Sequence, residues 1–115
     1  MIFVIDDDEI MAECIARWAK DKVKKFTNAI EAMNAISDGV LPDLIFLDIL
    51  LDGPDGFTFL NEMVSYNDTA KIPVVVVSSL DLSKYNLAEY GVVRVLSKDT
   101  MVPADIKERI DEYAK

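Results

Sequence analysis

The chain has 115 residues, 51% of them hydrophobic, the size of one ordinary domain with ample material for a single core. Its 12 basic and 21 acidic residues give a net charge of −9, which argues against a domain that itself grips nucleic acid or an anionic membrane surface. There is no histidine, which removes imidazole acid–base catalysis, histidine-based triads and histidine metal sites from consideration.

In chain order, "IFVI" (2–5) reads as a first strand that delivers Asp6, Asp7, Asp8 and Glu9 in succession. Like charges that close repel and raise one another's pKa, so the cluster is costly unless a cation or good hydration compensates. From Glu9 to about Lys20, Met11, Cys14, Ile15 and Trp18 fall at helical spacing as one apolar stripe. Cys14 is the only cysteine, so no internal disulfide can form, and a reducing compartment with a packing role is expected. "KVKKF" is a weaker second strand whose alternating lysines suggest a sheet edge. Asn28 then caps a helix with the stripe Ala29, Met33 and Ile36, ending at Gly39.

"DLIFLDILL" and "IPVVVVSS" are near-continuous apolar runs, as expected of central parallel strands covered on both faces. Between them Phe57, Leu60 and Val64 mark a third helix. Residues 81–90 predict a short fourth helix of poor amphipathicity, "VVRVLSK" a fifth strand, and Pro103 opens a last helix burying Ile106, Ile110 and Tyr113. This alternation predicts a doubly wound five-stranded parallel α/β sheet with helices on both faces, one domain over residues 1–115. No basic leader follows Met1 and no apolar run approaches a membrane span, so a soluble, cytoplasmic protein with no membrane contact is expected.

In such a sheet the residues just after each strand gather at one edge, where ligands bind. Those residues are Asp6 and Asp7 after the first strand, Asp48 after the third, Ser78 and Ser79 after the fourth and Lys98 after the fifth. In a 2-1-3-4-5 strand order the first and third strands are neighbours about 5 Å apart, and their three acids can share one hard cation. In a 3-2-1-4-5 order Asp48 sits about two strand spacings from Asp6 and they cannot. The first order is favoured; it places the fifth strand about 10 Å from Asp48, a gap that Lys98 can lean across to meet an anion.

Together these residues resemble the receiver domain of bacterial two-component response regulators, a flavodoxin-like family, over essentially the whole chain. "VIDD" matches its acid pair, "FLDILLDGPDGF" its phosphoacceptor loop, "VVVVSS" its hydroxyl-bearing strand and "VLSK" its lysine. The resemblance implies that Asp48 accepts a phosphoryl group, with Mg²⁺ held by Asp7, Asp48 and the Leu50 carbonyl and, through water, by Asp6. Ser78 and Lys98 then contact the remaining phosphoryl oxygens. It further implies a sensor histidine kinase or phosphotransfer protein as donor, a downstream effector as recipient of the signal and a phosphorylation-dependent dimer. The domain would act as no enzyme beyond its own phosphorylation and dephosphorylation.

Each residue taken alone has a plainer reading: Asp8 and Glu9 suit a solvated helix N-terminus, Ser78 a satisfied core hydroxyl and Lys98 a surface lysine. Trp18 and the five methionines read as packing residues. "FVIDDDEI" also looks like the opening of haloacid-dehalogenase-type phosphatases, with Asp6 as nucleophile and Asp8 as general acid, but no acidic motif follows Lys98. A receiver-like interaction module working without phosphorylation is the other alternative. "DGPDGF" lacks the ligand alternation and terminal glutamate of a calcium loop. Against the family pattern, Asp52 stands where proline is frequent, with Pro54 displaced, Asp99 replaces the proline after Lys98, and Val95 replaces the aromatic three residues before it; Tyr85 and Tyr90 are the nearby aromatics. Leu50 and Leu80 are expected to overhang the phosphoryl group and slow its hydrolysis.

Overall fold

A computed structural model describes residues 1–19, 22–51 and 55–114. Five strands, β1 (Ile2–Ile5), β2 (Val23–Phe26), β3 (Leu44–Leu47), β4 (Val74–Ser78) and β5 (Val92–Ser97), form one parallel sheet in the order β2-β1-β3-β4-β5. The inner strands β1, β3 and β4 are buried throughout, which is why their sequences are unbroken apolar runs. β2 lies at an edge, with Lys24 and Lys25 exposed. Both the expected doubly wound architecture and the favoured strand order are present.

Helices α1 (Glu9–Arg17) and α4 (Pro103–Tyr113) cover one face of the sheet, over Ile2, Val4, Phe46 and Val75. Helices α2 (Ala29–Ser37) and α3 (Gly56–Val64) cover the other, over Phe3, Ile5, Ile45 and Val74. Side-chain oxygens start three of them: Asp8 accepts from the Ile10 and Met11 N–H groups, Asn28 from Glu31 N–H and Asp55 from Thr58 N–H. α2 stops where Gly39 takes a φ of 93°, a backbone conformation costly for any residue with a Cβ. Among the described residues no helix is long and apolar enough to cross a membrane.

Three helical stripes are phased differently from expectation. α1 buries Ala12 and Ile15, while Trp18 caps the C-terminus and is 42% exposed, because the helix ends before a side chain there can reach the sheet; Lys20 lies outside the described residues. α2 buries Ala29, Ala32 and Ala35, with Met33 and Ile36 at the margin, since small side chains let a helix lie close against the strands. α3 buries Phe59, Leu60 and Met63, leaving Phe57 and Val64 half-buried. In α4 Ile106 and Ile110 are buried as expected, and Tyr113 is half-buried.

The larger correction falls between β4 and β5. The expected fourth helix over residues 81–90 is a loop ending in one 3₁₀ turn, Leu87–Tyr90, closed by Gly91 at φ 78°. Its anchors Leu82 and Leu87 are both buried. Five residues apart, they would point about 140° away from each other on an α-helix, so one helix could not bury both against the sheet. Asp81 instead accepts from the Ser83 N–H at 3.0 Å and turns the chain locally.

β4 and β5 pair with one irregularity. Val74 faces Val92 but Val75 faces Arg94, so Val93 is an extra residue in β5. Beyond this bulge Val95 lies opposite Val76 and Ser97 opposite Ser78.

Candidate functional site

The carboxyl ends of β1, β3, β4 and β5 converge on four buried or half-buried polar side chains. Asp6 is 2% exposed, Asp48 5% and Ser78 2%. Neighbouring strands set their positions: the Asp48 N–H donates to the Ile5 carbonyl at 2.9 Å, and Lys98 N–H to the Ser78 carbonyl at 3.0 Å. Lys98 crosses from β5 and donates from Nζ to Asp48 Oδ2 at 2.9 Å, while also lying 3.1 Å from Asp6 Oδ2. Sequence reasoning brought Lys98 toward Asp48 but missed Asp6; the adjacency of β1 and β3 carries that second pairing.

Backbone donors hold the remaining oxygens. Asp6 Oδ1 accepts from the Asp8 N–H at 2.9 Å, Asp48 Oδ1 from Leu50 N–H at 3.2 Å and Ser78 Oγ from Leu80 N–H at 3.2 Å. Each is a short side-chain-to-backbone loop that fixes the rotamer at a strand end. Burial is the largest influence on Asp6 and, joined by the nearby Asp48 charge, pushes its pKa above the ordinary aspartate value despite the Asp8 N–H and Lys98. Burial also works to lower the Lys98 pKa, but contact with Asp48 and Asp6 outweighs it and the pKa lies above the ordinary lysine value, so the ammonium is charged at neutral pH.

Exposed Asp7 completes an acidic group with Asp6 and Asp48, whose ligating oxygens lie within 4.8 Å of one another. This donor set suits a hard divalent cation. It is all oxygen, three acids face a single lysine, and buried Asp6 Oδ2 has the Lys98 ion pair but no aligned hydrogen bond. Exposed Leu50 and Leu80, from the loops after Asp48 and Ser78, flank the site. Asp8 is occupied as the N-cap of α1, as the plainer reading of that residue expects. Asp52 and Pro54 lie outside the described residues. Lys98 reaches the acids although Asp99 follows it, and no cis peptide occurs among the described residues.

Gly56, near the end of the "FLDILLDGPDGF" stretch, is a positional requirement. Its N–H donates to the Ile49 carbonyl at 2.9 Å, folding the acceptor loop back on itself. A Cβ there would sit 2.7 Å from Ile49 Cα and 2.9 Å from the Asp48 carbonyl oxygen, so only glycine lets α3 start against the residue that follows the acid.

The family model described as the response regulator receiver domain matches residues 2–111. The chain belongs to that family. Among curated relatives, response regulator PleD of Caulobacter vibrioides is 30% identical over 82 residues, covering 70% of this chain and 18% of PleD. The chain thus spans less than a fifth of that relative's length. Among solved structures, a putative response regulator from Chloroflexus aurantiacus aligns with a TM-score of 0.81 at 27% identity, over 96% of this chain and 93% of that one. The NtrX receiver domain from Brucella abortus aligns at 0.82 and 24% identity, over 97% and 96%, a likeness of fold. This is therefore a receiver domain of the two-component type, with Asp6, Asp48, Ser78 and Lys98 at the carboxyl ends of β1, β3, β4 and β5.

Proposed function

We propose that this receiver domain accepts a phosphoryl group on Asp48 in a Mg²⁺-dependent reaction and thereby switches a surface that a downstream effector reads. The observation that carries the reading is the buried Asp48 carboxylate, which accepts from Lys98 Nζ of the β5 side at 2.9 Å beside buried Asp6 and exposed Asp7. An Asp48 carboxylate oxygen attacks phosphorus in line; the new O–P bond forms as the bond from phosphorus to the donor's imidazole nitrogen breaks, and that nitrogen takes up a proton. Lys98 is freed from Asp48 Oδ2 as its ammonium passes to a phosphoryl oxygen. The Ser78 hydroxyl, which accepts from Leu80 N–H, keeps its own proton to donate to another. When bound, a divalent cation held by Asp7, Asp48 and the Leu50 carbonyl, and through water by Asp6, supplies neutralisation of the phosphoryl charge. The donor is a sensor histidine kinase or phosphotransfer protein, consistent with the family. The domain works in the cytoplasm, forms a dimer when phosphorylated, and catalyses nothing beyond making and losing its acyl phosphate.

Intact mass after incubation with a small phosphodonor tests the reading. A single phosphate adduct is expected with Mg²⁺, lost in chelator and lost in Asp48→Asn. An adduct that survives in either condition overturns the assignment.

A further inference from the structure

The four strands that supply the acid edge end in the same local bond, in which a side-chain oxygen accepts from the backbone N–H two residues on. Asp6 Oδ1 accepts from Asp8 at 2.9 Å, Asp48 Oδ1 from Leu50 at 3.2 Å, Ser78 Oγ from Leu80 at 3.2 Å and Ser97 Oγ from Asp99 at 3.2 Å. β2 supplies no residue to the edge, and the first side-chain bond after it is the Asn28 cap of α2, at Glu31 N–H. At β1, β3 and β4 the residue that makes the bond is itself a site residue. At β5 it is not: the bond from Ser97 to Asp99 encloses Lys98 instead. The Ser97 carbonyl accepts in addition from the Thr100 N–H at 3.3 Å and the Met101 N–H at 2.9 Å, so one serine ties down the turn that follows the strand.

We propose that Ser97 is a positioning residue: its hydroxyl oxygen, by accepting from the Asp99 N–H, fixes the backbone of Lys98 so that the ammonium meets Asp48 and Asp6. The proposal deepens the reading of Asp48 as phosphoryl acceptor and rests on it. Lys98 Nζ lies 2.9 Å from Asp48 Oδ2 and 3.1 Å from Asp6 Oδ2, and it reaches both from the far side of β4. Meeting two acids at once over that span makes the point of departure decisive, because the stem of a lysine is flexible and sets no direction of its own. Sheet pairing fixes only the peptide before Lys98, through its N–H and the Ser78 carbonyl at 3.0 Å. The peptide after it is held by Ser97. A proline after the lysine would restrict the lysine backbone sterically. Asp99 imposes no such restriction, but it has the N–H that proline lacks, and Ser97 uses it. Side chains alternate between faces, and Ser97 lies opposite Ser78, so its bond holds the chain from the α2–α3 side and leaves the Lys98 side chain clear to cross.

Two readouts test it on the whole chain. Every other lysine among the described residues is exposed, so the Lys98 ammonium should give an exchange-protected Nζ–H signal in a proton–nitrogen spectrum, assigned by its loss in Lys98→Met. The second readout is the initial rate of phosphate uptake from a small phosphodonor with Mg²⁺. Ser97→Val and Ser97→Thr have the same shape and differ only in the hydroxyl. Ser97→Val should lose the protected signal and slow uptake about fivefold, the worth of one hydrogen bond, and Ser97→Ala should do the same without added bulk. Ser97→Thr should keep the signal and stay within about twofold of the wild-type rate. Asp99→Ala, which retains the N–H and removes only the carboxylate, should leave both readouts unchanged. The ammonium signal is recorded without Mg²⁺ or phosphodonor, so a wild type that takes up no phosphate would sink the acceptor reading while the signal still decides the role of Ser97. Wild-type signal and rate in Ser97→Val, a Ser97→Thr as impaired as Ser97→Val, or loss of the signal in Asp99→Ala would each overturn the proposal.

Discussion

The β1–β3 side of the sheet and its β4–β5 flank are built on opposite terms. On the first side the strands are fully buried, both faces carry helices, and Asp6 and Asp48 are fixed by backbone donors and one shared ammonium. On the flank a loop replaces a helix, two leucines anchor it, and Val95 lies half-open in a strand. Groups that must meet a reacting atom gain from rigidity, because a small misplacement is expensive in rate. A surface that must report an event gains from being cheap to move. Ser78 belongs to both, buried at the end of β4 and accepting from the Leu80 N–H of the loop that follows.

Hydrogen exchange gives the largest contrast. Amides of β1 and β3 should exchange at least about 1,000-fold more slowly than those of Ser79–Asn86, because the former open only with the whole domain. A beryllofluoride complex formed with Mg²⁺ should then change protection from Leu80 to Val95 while leaving β1 and β3 alone. Uniform protection across the two regions, or an unaltered flank, breaks the comparison.

The next effect tests the boundary between the regions, where exposed Leu50 and Leu80 flank the acids. Neither side chain can hydrogen-bond a water placed in line behind phosphorus, so the acyl phosphate should be long-lived. Replacing Leu50 with Asn and Leu80 with Glu should speed its loss about tenfold, equivalent to about 1.4 kcal/mol of barrier. If the wild type loses phosphate as fast as this polar pair at the same Mg²⁺ concentration, the shielding account fails.

The smallest effect concerns what the rigid side costs. The Asp6 pKa is raised in the folded state, so the fold holds that proton more readily than the unfolded chain does. Above the folded pKa the ionised carboxylate therefore subtracts stability, and the penalty is relieved as pH falls through that value toward 3.8. Asp6→Asn should raise stability by about 1 kcal/mol at pH 7 in chelator, with the gain shrinking in acid. Urea denaturation across pH measures it. A loss in place of a gain would mean that the Lys98–Asp6 pair outweighs the burial of the charge.

Strand order and the membership of the acid edge were legible because each inner strand is a short apolar run ending abruptly in a polar residue. Helix phase was less so. The expected stripe of α2 joined Ala29, which is buried, to Met33 and Ile36, whereas the helix turns Ala32 and Ala35 to the sheet with it. The segment 81–90 was misjudged for a different reason: its local composition permits a helix, but the five-residue spacing of Leu82 and Leu87 is settled only by where the core lies. The Lys98–Asp6 contact depended on side-chain reach across three strand gaps, a quantity that motif order does not encode.

Val93, the surplus residue in β5, bears on all of this as a matter of parity. Strand side chains alternate between faces, so one inserted residue exchanges the two faces for everything downstream. Here the exchange sends Val95 and Ser97 to the α2–α3 face and brings Ser97 level with Ser78, which sets the point from which Lys98 departs toward the acids. Were Val93 instead paired regularly with Val75, the letters "VLSK" would fall one step out of phase, with valine and serine turned to the α4 side and the lysine carried a residue farther past the strand end. The motif's meaning in this chain therefore resides partly in a bulge outside it, whose extra residue, Val93, packs against the core on the α1–α4 side of the sheet.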